Sequence, residues 1–579
     1  MVSLSNHACS ASSALIVGGR GGSWDPAFFV SRYTVSTVQF LVIAAALALQ
    51  HSCEGRSTKY EVRSLKYEAR TRSDFELQTS GFRLSVAQRP VTLRVGIGSA
   101  HDAVASASKP AQDFYDQGLA YLHSYVWLEA ARSFNQALRL DPTLALAHLG
   151  LTIAYTELNV PAAAHAALER SSALAATDHD RRHVGARALQ MAAEDAPRDT
   201  AKRAAYRTAL DQALATSPSD EELWLQRGQA ESPDPAERGQ GSVAASIPFY
   251  AKALALAPGH VAAHHYLTHA YENSGRLQDA LTHGATYAKM APGVPHARHM
   301  YGHNLRRVGR IDEAIAEFGA ADALESAYFA AEKIPVEFDW HYQHNLDLLA
   351  TSYQYVGQMA KAEALLKTAF AIPSALVAQE FNKREWPVFL LARGRAREAL
   401  DAANVLASHR SPVVSAAGHV TAGQARLALG EFKAASEEAN TALRLMRASP
   451  EGAGLVATPL LALQGEFFLR TGLKDKARPM LEEAARKARA APGPDAWTQA
   501  LFTLEAIARA AREAGDWELA GWAARQMLEH DPNYAGSHYA LALVAERNGD
   551  AAAARAERAL VAKFWQQADA GLPELRIKN

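Results

Sequence analysis

The sequence predicts an all-α fold, a right-handed solenoid of about twelve stacked helical hairpins that follows a non-repeat N-terminal segment. The first observation behind this prediction is a period of 34 residues that recurs between residues 111 and 568. The second is the placement of apolar residues at steps of three and four, which is typical of helices that bury one face. Because one hairpin cannot bury its own apolar face, neighbouring hairpins are expected to stack.

Eight units of 34 residues align in register, at 111–144, 145–178, 261–294, 295–328, 343–376, 416–449, 501–534 and 535–568. Degenerate copies fill the gaps, at 179–213, 219–258, 380–413 and 458–491. Glycine at the fifteenth place of a unit, as in Gly275, ends the first helix, and a proline such as Pro292 stops the second. Each unit is therefore predicted to form one helical hairpin.

The pattern divides the chain into five parts. They are a segment whose start site is uncertain (1–53), a low-complexity linker (54–110), N-terminal hairpins (111–258), histidine-rich hairpins with the predicted site (259–376) and C-terminal hairpins (377–579). Two insertions interrupt the period, a Pro/Gly-rich loop at 232–244 and the segment 329–342, which carries Trp340.

An apolar run at residues 38–49 is similar to the hydrophobic region of a secretory signal. Its 12 residues are too few to span a membrane, which takes about 20 apolar residues, but they suit a signal with Arg32 upstream. We therefore expect export to the periplasm or the exterior, and a cytoplasmic protein with a short buried helix is the alternative. A lipid anchor on Cys53 is a weaker hypothesis, because Leu49 lies one residue too far from it.

Composition excludes several classes of function. The chain carries 60 Lys and Arg against 61 Asp and Glu and has no basic run, so a nucleic-acid partner is not expected. The two cysteines, Cys9 and Cys53, lie near the N-terminus, which excludes a disulfide framework or a thiolate zinc site in the repeats. No membrane span is expected beyond the possible signal or anchor, and the motifs HExxH, GxSxG and GxGxxG are absent.

Histidines are concentrated in the three successive units that begin at residues 261, 295 and 343. Ten of the 22 histidines lie between His260 and His344. Places 2, 5, 9 and 12 of a unit, with place 13 added, form the stripe that is expected to face the concave groove. Six of these 15 positions are histidine, whereas the frequency in the whole chain predicts about 0.6. They are His265, His269, His296, His299, His303 and His344.

Two pairs in this set have the spacing of metal ligands, His265 with His269 and His299 with His303. Residues four apart project from the same face of a helix, and packed helices lie about 8–10 Å apart. We therefore predict that both pairs converge on one ion. His296, His344 and Asp347 would complete or orient the site. Nitrogen ligands with one or two carboxylates suit Zn, Fe or Mn, and no thiolate is available to favour Cu(I).

Two metal-free alternatives remain open, a polar pocket lined by neutral histidines and a structural hydrogen-bond network. Glu272 extends the histidine stripe by one step, while His341 and Trp340 of the insertion would lie at the groove as supporting residues. Histidines elsewhere, such as His123, are interpreted as structural. The pair His179 and His183 is interpreted as part of a solvated helix face.

The repeat marks and the order of the histidine segments resemble a known family. The spacing of Gly118, Tyr121, Ala130, Phe134 and Pro142 resembles the tetratricopeptide repeat. The segments HHYLTHAYE (264–272), PHARHMYGHNLRRVGR (295–310) and HNLDLL (344–349) are similar to a group of large bacterial tetratricopeptide repeat proteins. That group carries HYxxH, HxxHMxxH and HNxH in this order and has no assigned activity. Asp347 replaces the last histidine of the pattern. The resemblance implies the fold and a shared histidine site.

We therefore expect a binding or scaffold protein whose groove contains a histidine-lined, metal-dependent pocket and engages a protein, a peptide or a small molecule. The alternative is a metal-dependent enzyme of the hydrolase or oxygenase type, with Glu272 or Asp347 as general base on metal-bound water. A metal-storage or delivery protein is a third possibility. A site with segment 329–342 folded over it would favour the enzyme, and an open groove would favour partner binding.

Overall fold

The computed structural model describes residues 81, 83–236, 238–336, 339–374, 376–450, 452–491 and 495–575. They belong to one compact unit, Thr79–Asn579. The signal-like run at 38–49 lies outside the described residues. No helix among those that are described has the length and apolar character that crossing a bilayer requires.

Between Lys109 and Phe564, the described residues form 25 α-helices and no β-strand. The first half comprises α1 (Lys109–His123), α2 (Trp127–Leu140), α3 (Ala145–Glu157), α4 (Pro161–Leu174), α5 (Asp178–Glu194), α6 (Thr200–Thr216), α7 (Glu221–Gln229), α8 (Ile247–Leu256), α9 (Val261–Asn273), α10 (Leu277–Met290), α11 (Pro295–Arg307) and α12 (Ile311–Glu332). The second half comprises α13 (Tyr342–Tyr355), α14 (Met359–Ala371), α15 (Val377–Asn382), α16 (Glu385–Ala392), α17 (Ala396–Ala407), α18 (Pro412–Ala428), α19 (Phe432–Ala448), α20 (Ala453–Arg470), α21 (Lys474–Ala490), α22 (Ala496–Glu513), α23 (Trp517–His530), α24 (Ala535–Arg547) and α25 (Ala551–Phe564).

Within this part of the chain, the helices pack as twelve hairpins of consecutive partners, and the short α15 lies outside the pairs. The predicted all-α fold of stacked, tetratricopeptide-type hairpins is confirmed. The glycines at the fifteenth place adopt a left-handed backbone, with φ of +74° at Gly275 and +79° at Gly309. This conformation ends the first helix and turns the chain into the second.

Small residues set the close approach of the two helices in a hairpin. A Cβ atom at Gly302 of α11 would lie 2.8 Å from Cε1 of Phe318 on α12, so a larger residue would push the helices apart. Phe318 is fully buried in this contact. The spacing between α11 and α12 therefore depends on the Gly302–Phe318 contact, and α11 carries three of the six histidines.

Residues 83–108, which the sequence assigns to the linker, lie against the first hairpins. Val86 and Ala87 are buried, and the Arg83 guanidinium donates to the carbonyl oxygen of Leu158 at 2.7 Å. The side-chain oxygen of Gln117 on α1 accepts from the backbone N–H of Arg94 at 2.7 Å. This segment therefore packs on the body of repeats and adds to its core.

Candidate metal centre

Three histidines from two successive hairpins converge on one point, and we call His265, His269 and His296 triad A. His265 and His269 lie four residues apart on α9, so both rings project from one face of the helix. His296 lies in the first turn of α11. The Nε2 atoms of His269 and His296 lie 3.1 and 3.0 Å from the Nε2 atom of His265. Nitrogen atoms at this separation can all reach one ion at about 2.1 Å.

The hydrogen bond at Nδ1 of His265 determines which of its two ring nitrogens carries the proton. Nδ1 of His265 lies 2.6 Å from the carbonyl oxygen of His123, and because a carbonyl can only accept, Nδ1 carries the proton. Burial, together with the neighbouring His269, lowers the pKa of His265 well below its usual range. The ring is therefore neutral, and its Nε2 atom presents a lone pair. A backbone carbonyl on one nitrogen and an available lone pair on the other is the usual state of a metal-binding histidine.

Three further histidines form a second group, and we call His299, His303 and His344 triad B. The Nε2 atoms of His299 and His303 lie 2.9 Å apart on α11. His344 comes from the first turn of α13, and a ligand atom of each residue lies within 4.8 Å of the others. Burial lowers the pKa of each member, to well below the usual range for His299 and His303.

His299 has the same protonation pattern as His265. Its Nδ1 atom lies 2.9 Å from Oδ1 of Asn345. The amide nitrogen of Asn345 donates to the carbonyl oxygen of Phe318 at 3.0 Å, which turns Oδ1 toward His299 as an acceptor. Nδ1 of His299 therefore carries the proton, and its Nε2 lone pair points at His303. One histidine in each triad is held in the metal-binding tautomer by a neighbouring element.

The structure differs from the sequence expectation of one shared ion. The pairs on α9 and α11 belong to different units of the stack, and each gains its third imidazole from the next first helix along the chain. His296 therefore completes the pair on α9, and His344 completes the pair on α11. The ring centroids of His296 and His299 lie 5.8 Å apart, so the two triads are neighbours.

Five of the six stripe histidines are buried and His344 is partly exposed, although the sequence analysis placed the stripe along a concave groove. His265 is 0% exposed and His303 is 2% exposed. Side chains from distant hairpins cover the stripe, since Asp495 before α22 lies 3.9 Å from both His344 Nδ1 and the guanidinium of Arg306. Trp340 of the insertion covers the other end, with its ring 5.6 Å from that of His296.

Tyr125 is a second cover over triad A that sequence reasoning missed. Its ring centroid lies 4.5 Å from that of His265 and 5.0 Å from that of His296. It occupies the fifteenth place of the first unit with φ of +59°, where most units have glycine, a conformation that is a genuine outlier for a bulky side chain. Its carbonyl oxygen accepts from Nε1 of Trp340 at 2.8 Å. The sequence signal that could have identified Tyr125 is a tyrosine at a place where most units have glycine.

The two predicted acidic residues take different positions. Oε1 of Glu272 lies 3.8 Å from Nδ1 of His303 and 4.0 Å from the guanidinium of Arg307, with no hydrogen-bond partner. Burial raises the pKa of Glu272. Asp347 is also buried, but it belongs to neither triad as defined by converging ligand atoms. Burial and the nearby Glu385 and Asp495 raise the pKa of Asp347 well above its usual range, which favours the neutral carboxyl.

Several histidines outside the triads pair with carboxylates, among them His123 and His260. Glu222 accepts from Nε2 of His260 at 2.8 Å and contacts Nε2 of His123 at 3.0 Å. Nδ1 of His260 accepts from the backbone N–H of Ala262, so its proton lies on Nε2 and points at Glu222. Burial acts to raise the pKa of Glu222, but His123 and His260 outweigh burial and hold that pKa well below its usual range. This group is satisfied without an ion.

His179 and His183 do not form the solvated helix face that the sequence suggested. His183 is buried, and its Nε2 atom lies 3.0 Å from Oδ2 of Asp220. Nε2 of His179 lies 2.8 Å from Oδ1 of Asp102. Hydrogen bonds to Asp102 and Asp220 raise the pKa of His179 to about 10, so a proton already occupies this group at neutral pH. The triads differ because, among the described residues, neither set of converging ligand atoms contains a carboxylate oxygen.

Comparisons with known proteins support no named family. No protein-family model and no curated protein matches this chain. Among solved structures, it is similar to the apo form of the quorum sensor NprR from B. thuringiensis, with 12% identity over 68% of this chain and 98% of that chain and a TM-score of 0.39. It is also similar to yeast Tom70 (14% identity, 79% of this chain, 92% of that chain, TM-score 0.29). The human IFIT1 dimer with PPP-AAAA gives 13% identity, 85% and 95% coverage and a TM-score of 0.32. These TM-scores are low, and the fold is established by the helical hairpins of this chain itself.

Proposed function

We propose that the protein is a helical-hairpin scaffold that holds two divalent transition-metal ions, one in triad A and one in triad B. The observation that carries this proposal is the convergence of imidazole nitrogens. In triad A, the Nε2 atom of His265, which bears no proton, lies 3.1 and 3.0 Å from the Nε2 atoms of His269 and His296. In triad B, the corresponding Nε2 atom of His299 lies 2.9 Å from that of His303. A single lone pair cannot accept two well-aligned hydrogen bonds, whereas an ion would satisfy all three nitrogens of triad A at once.

The ligand set narrows the class of ion. Both triads consist of imidazole nitrogens, and Asp347 lies in neither. Imidazole suits Zn, Cu, Fe and Ni, whereas Mn and Mg prefer carboxylate and water oxygens. Zn or Fe is therefore favoured over the Mn that the sequence also allowed, and Cu(II) joins the candidates.

The test is elemental analysis of protein purified without a histidine tag, beside the double variant His265→Ala/His299→Ala. We expect two ions per chain in the wild type and a loss of both in the double variant. The matched control is His264→Ala/His283→Ala, which removes two histidines of α9 and α10 whose Nδ1 atoms lie 3.0 Å apart outside the triads. A metal-free wild type, or equal metal contents in the two double variants, would contradict the proposal.

A metal-dependent enzyme is the second candidate function. Three protein ligands leave a coordination position for water, as in catalytic zinc sites, and the unpartnered Oε1 of Glu272 lies beside His303 of triad B. The enzyme requires exchangeable water on an ion. We expect Cu(II)-loaded protein to accelerate the longitudinal relaxation of water protons relative to Zn(II)-loaded protein. No acceleration would exclude this candidate and leave a binding role.

Two expectations of the sequence analysis complete the proposal. The stack of hairpins is suited to engaging a protein, a peptide or a small molecule on its outer surfaces, since most histidines of the stripe that would have lined the groove are buried. Export, from the signal-like run at 38–49, is proposed as well, and mass spectrometry of the mature N-terminus tests it. Detection of an intact Val2 would contradict export through this run.

A further inference from the structure

The insertion between α12 and α13 brings a seventh imidazole to the two triads. His341 is the residue before α13, and its backbone N–H donates to Oδ1 of Asp339 at 2.7 Å. The backbone N–H of Tyr342 donates to the same oxygen at 2.7 Å. These two hydrogen bonds hold the end of the insertion and so fix the direction from which His341 enters.

The ring of His341 lies between the triads and nearer to His299 of triad B. Its nitrogens are outside the set of ligand atoms that converge in triad B, so the ring would turn toward the ion on binding. Its centroid lies 4.4 Å from that of His299 and 5.0 Å from that of His296. The residue is 4% exposed, so solvent does not satisfy its polar atoms.

The two nitrogens of His341 have different partners. Nδ1 lies 2.5 Å from Oε1 of Glu325, a buried residue of α12. Nε2 has no hydrogen-bond partner in the described structure. A buried polar atom without a partner costs about 1–3 kcal/mol. Burial raises the pKa of Glu325 well above its usual range, which favours a neutral carboxyl in the empty site. An ion on Nε2 of His341 would bind with loss of that proton, which gives the carboxylate–histidine arrangement found around metal-binding histidines.

We propose that His341 is the fourth ligand of the ion in triad B and that Glu325 positions it. This inference rests on the proposed function, because it requires an ion in triad B. Four imidazoles close the coordination sphere of that ion, while the ion in triad A keeps an open position under Tyr125 and Trp340. The two ions therefore differ in role, since closed four-ligand sites are structural and three-ligand sites accept a further ligand.

The test uses azide, a small anion that binds metal ions with an open position, and the Co(II)-loaded full chain. Two Co(II) ions per chain are first established by elemental analysis, and fewer than two would refute the proposed function itself. We expect azide to change the visible spectrum of the wild type with a stoichiometry of one azide per two ions. In His341→Ala, we expect the stoichiometry to rise to two azides per chain. His283→Ala is the matched control and keeps one.

Glu325→Gln separates positioning from coordination. This variant keeps His341 but weakens its orientation, so azide binding at the second ion is expected with an affinity between those of the wild type and His341→Ala. If His341→Ala fails to fold by circular dichroism, His341→Gln keeps a side chain of similar length and serves instead. Two azides per wild-type chain, none at all, or one in the His341 variant would each overturn the proposal.

Discussion

His265→Gln is expected to empty triad A while triad B keeps its ion. His265 is the central member of triad A, because its Nε2 atom is the one that both neighbours contact. Loss of an outer-shell partner of a metal ligand already costs about 10- to 100-fold in affinity. Loss of the central ligand should therefore weaken metal binding by more than about 100-fold.

A competitive titration with a chromophoric chelator measures this effect, and it should resolve one strong and one weak site in the variant. His264→Gln is the matched control, since His264 neighbours His265 on α9 but contacts His283 instead. Retention of two strong sites in His265→Gln, or an equal effect of His264→Gln, would show that triad A does not bind the ion.

The metal-free protein is expected to lose stability as the pH falls from about 6.5 to about 4. Burial lowers the pKa of His269 to about 4 from a usual value of 6.5, and it lowers the pKa of the other five triad histidines as well. Between these pH values, the unfolded chain binds more protons than the folded chain, so the free energy of unfolding falls with falling pH. For His269 alone, this amounts to on the order of 3 kcal/mol.

Urea denaturation of chelator-treated protein at pH 7, 5.5 and 4.5 measures this loss. His269→Gln should flatten the profile, whereas His165→Gln should not, since the His165 side chain is 48% exposed. Added Zn(II) should raise stability at pH 7 and steepen the decline, because protons compete with the ion for imidazole. Equal stability at pH 7 and pH 4.5 would contradict the prediction.

The period of the sequence was sufficient to predict the hairpins and the histidines that share a helix face. The spacing of His265 and His269 follows from the helix itself, and the glycine at place fifteen, present in most units, ends the first helix. The partition into two triads was not predictable in this way. The partition depends on which imidazole of the next unit contacts the histidine pair of the preceding unit. That contact is set by the offset between stacked hairpins.

The repeat pattern also could not predict the residues that pack against the triads from elsewhere in the chain. Asp495 lies 151 residues along the chain from His344, and no local spacing relates the two. Glu325 lies on the outer helix of its hairpin, where the stripe rule does not apply, and it reaches His341 only because α12 extends to Glu332. Contacts of this kind depend on packing between distant elements, which a single sequence does not reveal.

The covers over the triads have a kinetic consequence. His265 is 0% exposed beneath Tyr125, so an ion is expected to reach triad A only when this cover moves, whereas the His344 side chain of triad B is 16% exposed. Loading and release at triad A are therefore expected to follow a transient opening of the cover rather than the concentration of chelator. The protein would thus retain its ions in surroundings poor in free metal, and the newly made chain would acquire them before the stack closes.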